Sequence, residues 1–124
     1  MSTIKQATKD LNKWVDRTMR GTLLGLSSRI IISTPVDTGR LRHNWQASFK
    51  IAKEGELAGT DPMTPMSSAR TATTAMKVGD DFFLTNNLDY AYGIEYDGKS
   101  QQAPSGMVRV NVLALAQALR DAAK

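Results

Sequence analysis

The chain has 124 residues, no cysteine, one histidine, and 16 Lys and Arg against 12 Asp and Glu, for a formal net charge of +4. That length makes one domain with one core, and without cysteine no disulfide framework, cysteine-based zinc site, iron–sulfur cluster or thiol nucleophile can form. A Ser–His pair would have to use His43, a multi-histidine metal site is excluded, and only carboxylate- or lysine-based enzyme chemistry stays open.

Residues 1–11 lack an apolar signal core, and no apolar run approaches the roughly 20 residues of a membrane span. The expectation is a soluble chain, cytosolic when made, with no membrane partner. The lack of cysteine suits a reducing cytoplasm, and equally a particle that survives outside cells.

The charge is unevenly placed. Residues 1–34 carry six basic and two acidic side chains, 35–62 four of each, 63–100 three and five, and 101–124 three and one. Lys5, Lys9, Lys13, Arg17 and Arg20 follow one another at helical steps and form a basic stripe. The commonest origin of such a stripe is a solvated face. It also suits docking on the acidic middle of a neighbouring copy, as in a head-to-tail ring. Nucleic-acid binding is the third reading, but no aromatic interleaving or recognised motif accompanies the stripe.

In chain order, residues 3–33 read as one long amphipathic helix. Ile4, Ala7, Leu11, Trp14, Val15, Thr18, Met19, Leu23, Leu26 and Ile30 recur at steps of mostly three and four, the period of one helical face. Gly21 and Gly25 weaken it by about 1 kcal/mol each relative to alanine and allow a bend. Pro35 ends it, because the residue before proline is pushed out of the α region. About 30 residues at 1.5 Å each span about 45 Å, so the helix crosses the domain or projects toward a partner. Pro35-Val36-Asp37-Thr38-Gly39 is turn chemistry, with Asp37 as an Asx-type acceptor. Residues 43–52 alternate as a half-buried strand, with Trp45, Ala47, Phe49 and Ile51 on one face and Asn44, Gln46, Ser48 and Lys50 on the other.

Lys53-Glu54-Gly55-Glu56 suits a hairpin turn. Thr64 as N-cap before Pro65 opens a short helix over about 65–77, poor in large apolar anchors and so weakly held or ordered by a neighbouring subunit. Phe82-Phe83-Leu84-Thr85-Asn86 is a second strand, and Asp89 is placed to cap a short helix through Tyr90, Ala91, Ile94 and Glu95. The alternation of Val108, Val110 and Val112 suggests an extended entry to about 110, followed by a C-terminal helix on Val112, Leu115, Ala116 and Leu119. The expected class is α+β in a single domain over 1–124. It comprises a long helix (1–34) packed on a small antiparallel sheet, two short helices and a C-terminal helix, with a loop and helix segment at 57–79 inside the body.

Chemistry-bearing patterns are sparse. His43 beside Arg42 has no assignable nucleophile or orienting group. Asp37-Thr38-Gly39 matches the aspartic-protease triplet, but a long helix precedes it, and the nearby Arg40 and Arg42 favour the ionised carboxylate over a shared proton. Asp80, Asp81, Asp89, Glu95 and Asp97 lack the spacing of a calcium loop, and Gly93, Gly98 and Gly106 make no phosphate cradle. Tyr90, Tyr92 and Tyr96 fall within seven residues and suit an interface, where tyrosine supplies contact area at little entropic cost.

Four blocks point further: Thr34-Pro35-Val36-Asp37-Thr38-Gly39-Arg40-Leu41-Arg42; Leu84-Thr85-Asn86-Asn87-Leu88-Asp89-Tyr90-Ala91; Ile94-Glu95-Tyr96-Asp97-Gly98; and Gln102-Ala103-Pro104-Ser105-Gly106-Met107-Val108-Arg109. In order and spacing this set, over about 34–109, resembles the head–tail connection and tail-completion proteins of long-tailed bacteriophages. One departure is Leu88-Asp89 before Tyr90, where proline is common. The resemblance implies a structural virion protein of the neck, forming a ring around the DNA channel and completing the tail. It implies homo-oligomers, with sixfold symmetry expected from tail symmetry, and neck, head-connector and tail proteins as partners. It also implies non-specific proximity to genomic DNA, residence in the virion after assembly in the host cytoplasm, no cofactor and no enzymatic activity. Pro35, Asp37, Gly39, Asn86, Tyr90, Ala91, Glu95 and Gly98 match its motif positions and are assigned to fold and subunit contacts, with Arg40, Tyr92, Tyr96 and Pro104 beside them. The alternative is a small basic nucleic-acid-binding module using Lys5, Lys9, Lys13, Arg17 and Arg20.

Overall fold

Thr34 marks the end of the long helix and starts the turn that the rest of the chain is built on. A computed structural model describes residues 3–123, leaving Met1, Ser2 and Lys124 outside the described residues. The elements are α1 (Thr3–Ser33), α2 (Arg40–His43), β1 (Gln46–Phe49), α3 (Met63–Ala75), β2 (Phe82–Thr85), α4 (Ala91–Tyr96) and α5 (Val108–Ala122). The class is α+β, with a long N-terminal helix, a two-stranded antiparallel sheet and a C-terminal helix. β1 and β2 pair from Gln46 opposite Thr85 to Phe49 opposite Phe82.

α1 runs unbroken through Gly21 and Gly25. Its C-terminal end buries Ser27, Ile30 and Ile31. The open carbonyls there are satisfied by Arg42, whose Nε donates to the Ile31 carbonyl (3.0 Å) and whose Nη2 donates to those of Ile32 (2.8 Å) and Thr34 (3.2 Å). Thr34 Oγ1 donates to the Ile30 carbonyl and accepts Trp45 Nε1, both at 2.7 Å, locking the turn to the core. The main core joins Ile30, Ile31, Leu41, Trp45, Leu88, Ala91, Ala103 and Met107.

Several expected boundaries move, each for a local reason. His43, expected to open the strand, instead ends a single helical turn over 40–43, because Gly39 at φ 95° turns the chain and His43 N–H bonds back to the Gly39 carbonyl. The strand stops at Phe49 because Lys50 adopts φ 75°, leaving Ile51 79% exposed. The polar face of β1 is also buried. Asn44 Oδ1 accepts the Leu57 N–H (2.7 Å), Gln46 Nε2 donates to the Gly55 carbonyl (2.9 Å) and Ser48 Oγ donates to the Ile51 carbonyl (2.8 Å). The turn at 53–56 therefore folds a loop over the strand and makes no hairpin.

α3 starts at Met63 with Pro62 at its N-cap, so Thr64 lies inside the helix and caps nothing; the Met63 N–H donates to Asp61 Oδ1 at 2.9 Å. Its small residues Ala69 and Ala72 face Ala47, and that lack of bulk brings the helix close over the sheet, with Leu24 of α1 packed on the same cluster. α1 fixes the end of α3, since Arg20 Nε donates to the Met76 carbonyl (3.0 Å) and Val78 N–H donates to Asp16 Oδ1 (3.0 Å). Asp89 caps nothing, because α4 has no side-chain cap. α5 is helical from Val108, without an extended entry, and none of its residues is buried.

Candidate functional site

Glu95 organises the junction between α4 and α5. It is 6% exposed, and its carboxylate accepts the backbone N–H groups of Met107 (2.5 Å), Val108 (2.8 Å) and Arg109 (2.9 Å) together with Arg109 Nε (3.1 Å). The open donors of the first turn of α5 thus meet an anion at the positive end of the helix. Arg109 Nη2 also donates to the Glu95 carbonyl. Burial raises the Glu95 pKa, but the hydrogen bonds from Val108, Arg109 and Met107 and from the guanidinium outweigh it and hold the value below normal.

Two glycines make this approach possible. At Gly106 (φ 91°) a Cβ would lie 2.6 Å from the Glu95 carbonyl oxygen, and at Gly98 (φ 62°) 3.2 Å from that of Pro104. Outside this buried joint, the Arg109 guanidinium lies 4.6 Å from the centre of the Tyr96 ring, and the Tyr96 ring lies 4.7 Å from that of Tyr92. The ladder flanks a shallow groove of about 280 Å³, bordered by Trp45, Asn86, Leu88, Tyr92, Tyr96 and Met107. Tyr90, Tyr92 and Tyr96 are all exposed, and Ala91 is buried beneath them.

The four sequence blocks converge here. Gln102 pairs with the backbone of Val36 in both directions, accepting its N–H (3.0 Å) and donating to its carbonyl (3.2 Å). Asn86 Nδ2 donates to the Leu41 carbonyl (2.8 Å), and Asn86 Oδ1 accepts the Leu88 N–H (3.3 Å). With the Glu95 contacts, these bonds tie the first block to the second and fourth, and the third to the fourth. Pro35 is buried; Asp37 is exposed and hydrogen-bonds nothing among the described residues. The expected Asx-type acceptor is in fact Thr38, whose Oγ1 takes the Arg40 N–H at 3.2 Å. Gly39 sits where a Cβ would lie 3.2 Å from the Thr60 carbonyl. Arg40 makes an exposed ion pair with Glu56 (2.9 Å), and Pro104 is exposed.

The basic stripe divides. Lys5, Lys9, Lys13 and Arg17 are exposed, whereas Arg20 is part-buried on the end of α3. His43 is buried, its Nδ1 against the Asp61 carbonyl at 2.8 Å and its ring against Gly59, a packing environment. Among the described residues no group of three or more His, Asp or Glu could hold a metal ion, and no helix is long and apolar enough to cross a membrane.

The face of α1 also departs from a single stripe. Ile30 and Ile31 are buried, but Ile4, Leu11 and Trp14 are 79%, 58% and 61% exposed. Steps of three and four back from Ile31 pass through Ser27, Leu24, Arg20, Asp16, Lys13, Lys9 and Lys5, so the N-terminal extension of the body-facing side is the basic stripe. The apolar residues of that half lie on the other side. A strict three–four alternation kept separate from the body's own face was the available signal. α5 adds exposed Val110, Val112, Leu113 and Leu119. No protein-family model matches the chain, and no curated protein or solved structure matches it either.

Proposed function

We propose that this chain is a structural virion protein of the phage neck, an oligomeric ring protomer that completes the tail and joins it to the head around the DNA channel. The four motif blocks carry the family resemblance, and hydrogen bonds tie them to one another. The observation that carries the assembly reading is the distribution of apolar surface. Ile4, Leu11, Trp14 and Ile32 on α1 and Leu113 and Leu119 on α5 are all more than half exposed. Surfaces of this kind mark protein–protein contacts. The exposed Tyr92–Tyr96–Arg109 ladder adds the residue types enriched at binding hot spots. No enzymatic role is proposed, since the buried titratable residues, His43 and Glu95, are both spent on the fold.

The test is to purify the chain, size it by light scattering and image it by electron microscopy, and to add it to isolated heads and tails. Closed rings and restored head–tail joining support the reading. A monomer at every concentration that joins nothing contradicts it. A second reading rests on the exposed Lys5, Lys9, Lys13 and Arg17. Duplex DNA binding that weakens steeply with salt, and falls when Lys9, Lys13 and Arg17 become Ala, supports a nucleic-acid module instead.

A further inference from the structure

Ile4, Ala7, Leu11, Trp14, Thr18, Gly21 and Gly25 recur along α1 in an unbroken three–four alternation, and every one of them is exposed. The spacing is that of the a and d positions of a two-helix coiled coil, with Ile4, Leu11 and Trp14 as its large apolar members. The pattern runs along the outer side of α1, away from Ser27, Ile30 and Ile31, so folding of one chain does not cover it. At Gly21 an added Cβ would meet nothing within 4 Å, leaving space for a large side chain of another helix, while Gly25 borders a groove whose other wall is Leu115 and Ala118 of α5.

We propose that the N-terminal half of α1 pairs antiparallel with the same segment of a second copy of this chain. The flanking charges select the occupant and its direction. Asp10 and Arg17 occupy equivalent flanking positions one heptad apart. In an antiparallel pair, with Leu11 opposite Trp14, Ala7 opposite Thr18 and Ile4 opposite Gly21, Asp10 of each copy meets Arg17 of the other. A parallel pair would set Asp10 against Val15 and Arg17 against Thr22, leaving both charges unmatched. Lys5, Lys9 and Lys13 lie outside the seam, so pairing brings no lysines together. Gln6 Nε2 holds Asp10 through Oδ1 (3.0 Å), which leaves Oδ2 for the partner. The contact is two-fold symmetric, so it joins copies in pairs; it takes up Ile4, Leu11 and Trp14 and leaves Ile32, Leu113 and Leu119 for ring contacts.

The chain has no cysteine, so introduced thiols report alone. Mixed Ala7→Cys and Thr18→Cys chains cross-link to each other under mild oxidation, while Ala7→Cys alone does not. In sedimentation, Trp14→Asp abolishes association with the fold retained by circular dichroism, since Trp14 is outside the core. Asp10→Arg and Arg17→Asp each weaken the dimer about tenfold, and the double variant restores it. Cross-linking of Ala7→Cys to itself, a double variant no tighter than the singles, or a wild-type chain monomeric at high concentration would overturn the inference. Head–tail joining that survives in such a monomer would overturn this contact and leave the neck reading standing.

Discussion

Glu95 reaches across fourteen residues to Arg109 and takes both its main-chain N–H and its Nε, so one carboxylate starts α5 and orients the guanidinium that lies over Tyr96. The buried and exposed parts of the junction are therefore one unit, and a change inside it is felt on its surface.

Replacing Glu95 with Gln removes the charge and sets an amide N–H₂ against backbone donors. We expect a loss of about 2–3 kcal/mol in urea denaturation, with faster hydrogen exchange at Met107, Val108 and Arg109. Arg109→Ala costs less, about 1 kcal/mol, because the Arg109 side chain is 53% exposed and its attraction is screened.

That joint was only half legible in the sequence. Ile94-Glu95 and Gly106-Met107-Val108-Arg109 stand out as blocks, but nothing local separates Glu95 from the neighbouring acidic residues, because its burial depends on two left-handed glycines bringing distant segments together. The long helix was legible because period and Pro35 agree. Its two faces were not, since Leu23, Leu26 and Ile30 continue the spacing of Ile4 and Leu11 closely enough to suggest one stripe. Val108, Val110 and Val112 alternate like a strand, and nothing local revealed that a carboxylate from α4 would start a helix there.

Glycines on this chain separate into two kinds by what surrounds them. Gly106→Ala forces a Cβ against the Glu95 carbonyl at a positive φ and should destabilise by about 2–4 kcal/mol. Gly21→Ala and Gly25→Ala fill open space on a helix and should each stabilise a dilute chain by up to about 1 kcal/mol. Thermal and denaturant unfolding of the three variants measures the contrast.

Acid should loosen the fold through Glu95. Its folded pKa lies below the ordinary 4.5, so its contribution is complete above that value and fades as pH falls through the lowered folded value. The stability gap between wild type and Glu95→Gln is therefore full at pH 7 and narrows as pH falls below 4.5, as read from urea midpoints.

Thr34 is 2% exposed and bonded on both sides. Thr34→Val keeps its shape but leaves the buried Trp45 N–H without an acceptor, at about 2 kcal/mol. The change should appear in unfolding midpoints and in the Trp45 indole N–H resonance.

The proposed role is assembly at the junction of head and tail. The most direct measurement is electron microscopy of particles joined from isolated heads and tails in the presence of this chain carrying a C-terminal tag. The account predicts that joining requires the chain and that tag density forms a closed ring around the channel at the neck. Heads and tails that join equally well without it, with no tag density at the neck, would contradict the account.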